Sequence, residues 1–186
     1  MILNTDNYLD INLKGKIIIF PTDTVYGIGC VYDDLEAVKR IYEIKQRDYS
    51  KPMAILCSNL EMVKSVIDKD TILDENLTKH WPGKLTLIFK KNKSISDSIT
   101  ANKGSVGVRI PNHEISLRLL KKFGPMVVTS LNLSSEPAIL KFKDVLKYES
   151  QVDYIVDGGD LNSEASTVYD TINKITLRQG DIIIKQ

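Results

Sequence analysis

Residues 21–29 place hydroxyl and carboxylate groups directly after a short apolar run. The run, residues 16–20, predicts a buried strand, and the polar side chains that follow it are Thr22, Asp23, Thr24 and Tyr26. Loops at strand ends often carry binding and catalytic side chains, because a rigid sheet holds them in position. Proline and two glycines in the same segment also suit an ordinary tight turn. This segment alone therefore supports a site and a turn equally.

A second group of polar residues is cationic. Lys45, Arg47 and Lys51 place three positive charges at the end of a predicted helix, directly before an apolar stretch. They predict a site for an anion, although a solvated helix end explains them too, since cations are stabilised beside the negative end of a helix dipole. Arg109 is more specific because it lies opposite the apolar face of a predicted strand. A buried arginine requires an anion or several hydrogen bonds.

Polar groups also follow two later apolar runs. Ser130 and Asn132 lie at the end of the run 126–131, and Ser166 and Arg178 lie beside the apolar segments near the end of the sequence. Hydroxyls and an amide at a strand end can hold phosphate oxygens, or can cap the next segment. Side chains at the ends of buried strands converge on one cavity in many α/β proteins. We therefore predict that these groups meet in a single pocket.

Several familiar nucleotide and metal motifs are absent from the sequence. It contains no G-x-G-x-x-G, and Gly83-Lys84-Leu85-Thr86 lacks the upstream glycine and the hydroxyl position of a Walker loop. That segment is predicted to be a turn that leads into a strand. His80 and His113 are too few for a histidine metal site, and no metal-ligating residues are predicted.

The composition restricts the partners that the whole surface can attract. Lys and Arg total 25 and Asp and Glu total 24, so a net charge of +1 provides no general field for nucleic acid or membrane. Cys30 and Cys57 have no metal-binding spacing and are predicted to be buried free thiols in a reducing compartment. The sequence has no signal-like start and no apolar run of about 20 residues. A cytoplasmic protein with no membrane partner is expected.

Alternating apolar and amphipathic segments predict an α/β layered domain. Strands are predicted at 16–20, 53–57, 85–89, 106–110, 126–131, 154–156, 166–172 and 175–177, with a further strand at 182–184. Helices are predicted at 34–46, 60–67, 74–81, 115–123 and 143–148. Crossover helices favour parallel strand pairs, whereas the strands near the C-terminus favour antiparallel ones. A mixed sheet in a single domain, residues 1–186, is therefore expected.

Seven short motifs occur in one order along the sequence. They are Pro21-Thr22-Asp23-Thr24-Val25-Tyr26-Gly27, Lys45-Gln46-Arg47, Trp81-Pro82-Gly83, Ser105-Val106-Gly107-Val108-Arg109-Ile110-Pro111, Ser130-Leu131-Asn132, Ser166-Thr167-Val168 with Asp170, and Arg178. In their residue types and in their order along the chain, these motifs resemble those of the YrdC-type threonylcarbamoyl-adenylate synthases. The resemblance covers nearly the whole chain. The sequence ends soon after the last motif, as in the short single-domain form of that family.

Four positions differ from the family pattern. Leu131 stands where the family usually has alanine, Ser135 where it has glycine, and Ala165 where it has proline. Leu56 occupies a position that is histidine in some relatives. The first two differences concern the loop after Ser130, and the last removes one polar contact to the amino acid.

The resemblance implies a fold and a reaction. The fold is a twisted, mixed parallel and antiparallel sheet flanked by helices around a concave cavity. L-threonine, bicarbonate and ATP would give threonylcarbamoyl-adenylate and pyrophosphate. A separate transferase complex would then pass the threonylcarbamoyl group to adenosine 37 of tRNAs that read ANN codons. Mg²⁺ is expected with the ATP, held mainly by phosphates and water, because the sequence has no cluster of carboxylates.

The resemblance also implies roles for single residues. Lys45 and Arg47 would be catalytic. The implied ATP-binding residues are Lys45, Arg47, Ser105, Ser130, Asn132 and Arg178. The implied L-threonine-binding residues are Thr22, Arg109 and Ser166.

Two other functions are compatible with the same fold. One is an RNA-binding module without catalysis, which the near-neutral charge and the lack of an arginine-rich stripe disfavour. The other is the related carbamoyl-transferring domain of hydrogenase-maturation proteins. In those proteins the domain lies among zinc-finger and acylphosphatase-like segments. Besides the transferase complex, tRNA remains open as a partner that binds transiently.

Overall fold

The computed structural model describes residues 1–184. Its strands are β1 (Ile2–Leu3), β2 (Ile18–Pro21), β3 (Tyr26–Val31), β4 (Ala54–Leu56), β5 (Leu85–Lys90), β6 (Ser105–Arg109), β7 (Met126–Ser130), β8 (Tyr154–Val156), β9 (Thr167–Asp170) and β10 (Ile175–Arg178). Its helices are α1 (Leu35–Ile44), α2 (Leu60–Val66), α3 (Glu75–Thr78), α4 (Asp97–Thr100), α5 (Glu114–Phe123) and α6 (Phe142–Val145), and a 3₁₀ turn covers Leu146–Tyr148.

All of these strands join one sheet in the order β1-β8-β2-β3-β7-β4-β6-β5-β9-β10. Four neighbouring pairs are parallel, namely β1 with β8, β2 with β8, β4 with β6, and β5 with β9. The other pairs are antiparallel. The predicted mixed sheet is thus confirmed.

Residues alternate between the two faces of the sheet, as the two-residue period of a strand requires. On β2, Ile19 belongs to one apolar cluster, whereas Ile18 and Phe20 belong to the other. Helix α1 packs against the first cluster through Val38 and Ile41. Helix α5 packs against the second cluster through residues such as Leu119. Helices therefore cover both faces of the sheet, as predicted for an α/β layered fold.

Several sequence-based boundaries need correction. Residues 21–29 are not one loop, because Tyr26–Val31 forms β3, a central strand that pairs with β2 and β7. The helix predicted at 74–81 is only the four-residue α3. The strand proposed at 182–184 is absent, and the segment instead packs Ile182 and Ile184 against the first cluster. Strand β1 and helix α4 were not predicted, because both are too short to show a clear period.

The alternation on β6 is as predicted. Val106 and Val108 are buried in the core, whereas Gly107 and Arg109 face the opposite side. On β3 the same side is occupied by Gly27, and a Cβ there would lie 2.7 Å from a methyl carbon of Val128. Glycine is therefore required where β3 and β7 pack closely, and the sheet surface next to them stays open.

Candidate functional site

A cavity of about 910 Å³ lies on the sheet face that carries Arg109. It shares Leu56 and Val128 with the apolar cluster that α5 covers, so it occupies the part of that face beyond the helix. Strands β3 to β7 and β9 all contribute to its lining. We call this space the sheet cavity. Ligand pockets typically measure about 300–1,000 Å³, so the sheet cavity has room for more than one small substrate.

Eight of the nine residues proposed from the sequence line the sheet cavity. They are Thr22, Arg47, Ser105, Arg109, Ser130, Asn132, Ser166 and Arg178. The set extends over more than 150 positions of the sequence, from Thr22 to Arg178. Its members come from six strands or from the loops beside them. The ninth residue, Lys45, lies behind the cavity wall and does not contribute to its surface. The prediction that these groups converge on one pocket therefore agrees with the structure, apart from Lys45.

Arg109 is held by the loop between β2 and β3. Its Nη1 donates a hydrogen bond to Thr24 Oγ1 at 3.1 Å, its Nη2 donates to the Asp23 carboxylate, and its Nε donates to the carbonyl of Gly83 at 3.0 Å. A guanidinium has five N–H donors, so two are not used by these bonds. Burial lowers the pKa of Arg109, and the charge of Asp23 opposes this effect. Arg109 is thus a preorganised cation rather than a mobile surface charge.

Thr22 shapes this loop through its own hydroxyl. Its Oγ1 donates to the carbonyl of Val25 at 2.7 Å and accepts from the backbone N–H of Thr24 at 3.1 Å. These bonds close a tight turn, which is the usual local role of a threonine hydroxyl after a strand. The turn and the site considered for residues 21–29 are therefore the same structure, because the turn presents Thr22 to the cavity.

Ser166 lines the same cavity from the segment before β9. Its Oγ is 2.9 Å from Thr86 Oγ1 and accepts a hydrogen bond from Arg178 Nη2 at 3.0 Å. Arg178 Nε also donates to the Ser166 carbonyl at 2.8 Å. The arginine on β10 thus fixes the hydroxyl before β9, while its remaining nitrogen, Nη1, makes no hydrogen bond among residues 1–184.

Arg47 is anchored in a similar way, by the loop before β4. Its Nε and Nη2 donate to the carbonyls of Lys51 and Pro52 at 3.2 and 2.9 Å. Both carbonyls belong to the loop before β4, so the side chain is fixed while Nη1 has no partner within the described residues. Burial lowers the pKa of Arg47, although the group stays charged at neutral pH.

Lys45 is a buried residue and not part of a solvated helix end. It is 1% exposed, and its ammonium group donates to the Asn132 carbonyl and Asn132 Oδ1 at 2.8 Å each and to the Ser130 carbonyl. The Lys45 carbonyl accepts from the backbone N–H of Ser134 at 3.0 Å. Lys45 therefore holds the whole loop after β7 in place. Its direct contact with ATP stays a prediction.

The buried ammonium group makes the stability of the protein depend on pH. Burial, together with the charge of Arg47, lowers the pKa of Lys45 from 10.5 to about 7. Between these two values the unfolded chain binds more protons than the folded chain, so the free energy of unfolding contributed by this group rises with pH. We expect the stability difference between the wild type and Lys45→Met to grow in favour of the wild type from pH 7 to pH 9. Denaturant titrations at both pH values measure it, and a pH-independent difference would contradict the assignment.

The Asn132 amide makes three hydrogen bonds within the protein. Its Oδ1 accepts from Lys45 Nζ and Ser130 Oγ, both at 2.8 Å, and its Nδ2 donates to the Glu136 carbonyl at 2.6 Å. Leu131 between them is completely buried and points into the core, as predicted. Asn132 thus shapes the wall of the cavity as well as lining it.

We expect Asn132→Ala to lower the free energy of unfolding by about 1–3 kcal/mol, because the buried ammonium group of Lys45 and the hydroxyl of Ser130 lose the acceptor that they share. ATP affinity should fall with it, since the loop carries Ser130. Chemical denaturation and calorimetry measure the two effects. Asn132→Asp, which keeps an acceptor for Lys45, is the matched control and should lose less stability. A loss of affinity at unchanged stability would instead mean that the amide contacts the nucleotide directly.

Three charged residues of the cavity were not proposed as site residues from the sequence. Lys103 lies two positions before Ser105, Glu136 follows the Ser130 loop, and Asp170 ends β9. Burial alone would raise the pKa of Asp170, but hydrogen bonds from Asn173 and Ile172 outweigh it and lower the pKa. Together with the three arginines, Lys103 gives the cavity four positive side chains against two carboxylates. The one sign in the sequence that Lys103 belongs to the cavity is its position close to the Ser105 motif.

The cavity offers no preformed cage for a metal. Within residues 1–184, no three histidine, cysteine, aspartate or glutamate side chains converge on one point. In the same part of the chain, no helix has the length and apolar character needed to cross a membrane. Both cysteines are buried and unpaired, as expected.

Comparison with known sequences identifies related proteins. A family model described as "Telomere recombination", for Sua5, YciO and YrdC proteins, matches residues 10–180. A threonylcarbamoyl-AMP synthase of Pseudoalteromonas translucida is 33% identical over 168 residues, which are 86% of this chain and 89% of that protein. A threonylcarbamoyl-AMP synthase of Pyrococcus abyssi is 34% identical over 179 residues, but the alignment covers 93% of this chain and only 53% of that protein. The chain thus spans about half the length of the archaeal relative.

Solved structures give the same result. P. abyssi Sua5 complexed with L-threonine superposes with a TM-score of 0.89 at 32% identity, over 97% of this chain and 57% of that one. Escherichia coli YciO superposes with a TM-score of 0.83 at 25% identity, over 97% of this chain and 96% of that one. The predicted mixed sheet flanked by helices is the fold of these proteins. The chain belongs to the Sua5, YciO and YrdC family.

Proposed function

We propose that this protein is a threonylcarbamoyl-AMP synthase, a nucleotidyltransferase. It converts L-threonine, bicarbonate and ATP to L-threonylcarbamoyladenylate and pyrophosphate. The observation that carries the proposal is the convergence of Arg47, Arg109 and Arg178 on one cavity with three serine side chains. The names of the relatives support the product, and the threonine complex of a relative supports the amino-acid substrate.

The proposed reaction needs positioned cations more than it needs a protein nucleophile. Threonine carbamate itself attacks the α-phosphate of ATP, and pyrophosphate leaves. Nucleotidyl transfer depends mainly on alignment and on fixed positive charge that faces the developing negative charge. Burial raises the pKa of both Cys30 and Cys57 to about 12, so neither thiol is a nucleophile at neutral pH. The three arginines, each anchored by hydrogen bonds within the protein, provide what the reaction requires.

Each substrate has a part of the cavity that suits it. The two unused N–H donors of Arg109 suit the carboxylate of threonine, next to Thr22 and Ser166. The free nitrogens of Arg47 and Arg178 suit phosphate oxygens, with Ser105, Ser130 and Asn132 beside them. Lys45 supports this second region from behind by holding the Ser130 loop.

Mg²⁺ would arrive with ATP, held mainly by phosphate oxygens and water. The cavity fits this arrangement, because Glu136 and Asp170 line it as single carboxylates and no three ligands converge in the described part of the chain. The ion would neutralise phosphate charge during the displacement.

We place the product upstream of a transferase complex that modifies adenosine 37 of ANN-decoding tRNAs in the cytoplasm. The adenylate is an activated, hydrolysable compound, so an enzyme that consumes it must follow. A transient contact with tRNA during transfer is part of this proposal.

One experiment tests the activity directly. The purified protein is incubated with ATP, bicarbonate and radiolabelled L-threonine, and pyrophosphate and the labelled adenylate are measured. Release that requires both threonine and bicarbonate is expected, and no threonine-dependent release would overturn the proposal. Filter binding with tRNA, compared with calorimetry with ATP, distinguishes the synthase from an RNA-binding module of the same fold.

Arg109→Lys should weaken L-threonine binding by on the order of tenfold or more. Lysine retains the charge, but a single ammonium group cannot donate to Asp23, Thr24 and Gly83 and also present two parallel N–H groups to a carboxylate. Calorimetry with threonine measures the change, and circular dichroism checks the fold. Unchanged threonine affinity in a folded variant would place the carboxylate elsewhere.

A further inference from the structure

Two buried polar atoms next to Arg109 have no hydrogen-bond partner within the described residues. They are Asp23 Oδ2 and His113 Nδ1. The other carboxylate oxygen of Asp23 accepts from Arg109, and the Asp23 side chain is only 10% exposed. Buried polar atoms in proteins are nearly always hydrogen-bonded to protein or to ordered water. Both atoms therefore require an explanation.

The fold brings the residues that carry these two atoms to the same contact between elements. Ser116 Oγ donates to the carbonyl of Pro21 at 2.6 Å, which packs the first turn of α5 against the end of β2. His113, the residue that caps α5, lies three positions before Ser116 and hence on the same side of the helix. Asp23 lies two positions after Pro21. Helix α5 thus presents His113 towards the loop that holds Arg109.

The charges around His113 favour this pairing. Burial lowers the pKa of His113 and outweighs the opposing effects of Asp23 on the loop and Glu114 on its own helix. The imidazole is therefore neutral at pH 7 and has one N–H, on Nδ1 or on Nε2. His113 makes no capping hydrogen bond to α5, so Nδ1 is not used by the helix. An N–H on Nδ1 would satisfy both unpartnered atoms at once.

We propose that His113 is a positioning residue for Arg109: a bound water accepts from its Nδ1–H and donates to Asp23 Oδ2, so that both unpartnered atoms are satisfied. Asp23 is then fixed at both oxygens, and Arg109 is fixed by Asp23. The role for substrate rests on the proposed function, in which Arg109 receives the carboxylate of threonine. The histidine itself does not touch substrate.

The pairing can be measured without any substrate. NMR of ¹⁵N-labelled protein resolves the imidazoles, and the chain has only two histidines, His80 and His113. We expect neutral His113 to be protonated on Nδ1. Asp23→Asn should lower the pKa of His113 by more than Glu114→Gln does, because the proposal pairs His113 with Asp23 and not with Glu114. The two variants are matched, since each replaces one carboxylate with an amide. Protonation on Nε2, or an Asp23→Asn effect no larger than that of Glu114→Gln, would overturn the pairing.

The consequence for substrate is measured by calorimetry with L-threonine. His113→Ala should weaken threonine binding by about tenfold, the cost of leaving a buried carboxylate oxygen unpaired. His113→Asn places an amide donor near the position of Nδ1 and also suits a helix cap, so it should restore most of the affinity. His80→Ala is the control and should bind as the wild type does. Equal losses in the Ala and Asn variants would overturn the positioning role.

These two measurements separate this inference from the proposed function. If the wild type binds no threonine but NMR finds Nδ1–H and the Asp23 effect, the proposed function fails and the pairing stands. If threonine binds tightly and the NMR result is negative, the pairing fails and the proposed function stands.

Discussion

Arg47→Ala is expected to lower the rate of threonine-dependent pyrophosphate release at least about 10²-fold, the scale observed when a preorganised charged donor is removed from an active site. Two of its nitrogens are fixed by the carbonyls of Lys51 and Pro52, so Nη1 meets the ligand without losing side-chain freedom during the reaction. The effect should fall mainly on kcat, because the charge on the leaving pyrophosphate develops in the transition state.

Lys51→Ala is the matched control for this prediction. Lys51 is an exposed cation on the same loop, and among residues 1–184 its ammonium group reaches only Ser134 Oγ, at 3.4 Å. We expect it to change the rate less than about threefold, as for a solvent-screened surface charge. Arg47→Lys should recover part of the rate at most, since one ammonium group cannot hold two carbonyls and still face the cavity. A folded Arg47→Ala protein with near wild-type rate would exclude Arg47 from the phosphate site.

Much of the sheet could be predicted from the sequence because most of its strands are short apolar or alternating segments. The alternation of Val106, Gly107, Val108 and Arg109 on β6 identified both the core face and the cavity face. Strand β3 was missed because glycines such as Gly27 and Gly29 are typical of turns. Those glycines are explained only by the close packing of β3 on β7, a contact between residues about 100 positions apart. Sequence periodicity contains no information about such contacts.

The sequence indicated which side chains line the sheet cavity better than it indicated the hydrogen bonds that they make within the protein. Arginines and hydroxyls at strand ends predicted one cavity, and the structure brings them together. The sequence could not indicate that Lys45 turns inward, because a lysine at a helix end is usually solvated. Its burial depends on three oxygens of a loop that follows β7. The polar groups of Thr22, Asn132 and Arg109 are likewise bonded within the protein, so much of the site is ordered before any ligand binds.

Selection of threonine should rest on its hydroxyl more than on its methyl group. Serine lacks only the methyl, so we expect kcat/KM for serine to be lower by on the order of tenfold, the usual cost of one missing carbon in a pocket. Valine has the same shape as threonine without the hydroxyl and would leave buried polar groups unpaired, so it should be rejected by on the order of 10⁴-fold. Ser166 is suited to read the hydroxyl. Its oxygen accepts from Arg178, and when Thr86 donates to it as well, its own O–H points to the ligand.

The measurement is kcat/KM for threonine, serine and valine in the wild type and in Ser166→Ala. We expect the variant to lose activity with threonine and serine together, by about tenfold or more, and to discriminate against valine far less. Ser65→Ala, which removes an exposed hydroxyl on α2, is the control and should leave all three values unchanged. If valine competes as well as serine in the wild type, the cavity does not read a hydroxyl, and the threonine assignment fails even where ATP binds. If the wild type rejects valine and Ser166→Ala rejects it equally, the hydroxyl is read by another residue of the cavity.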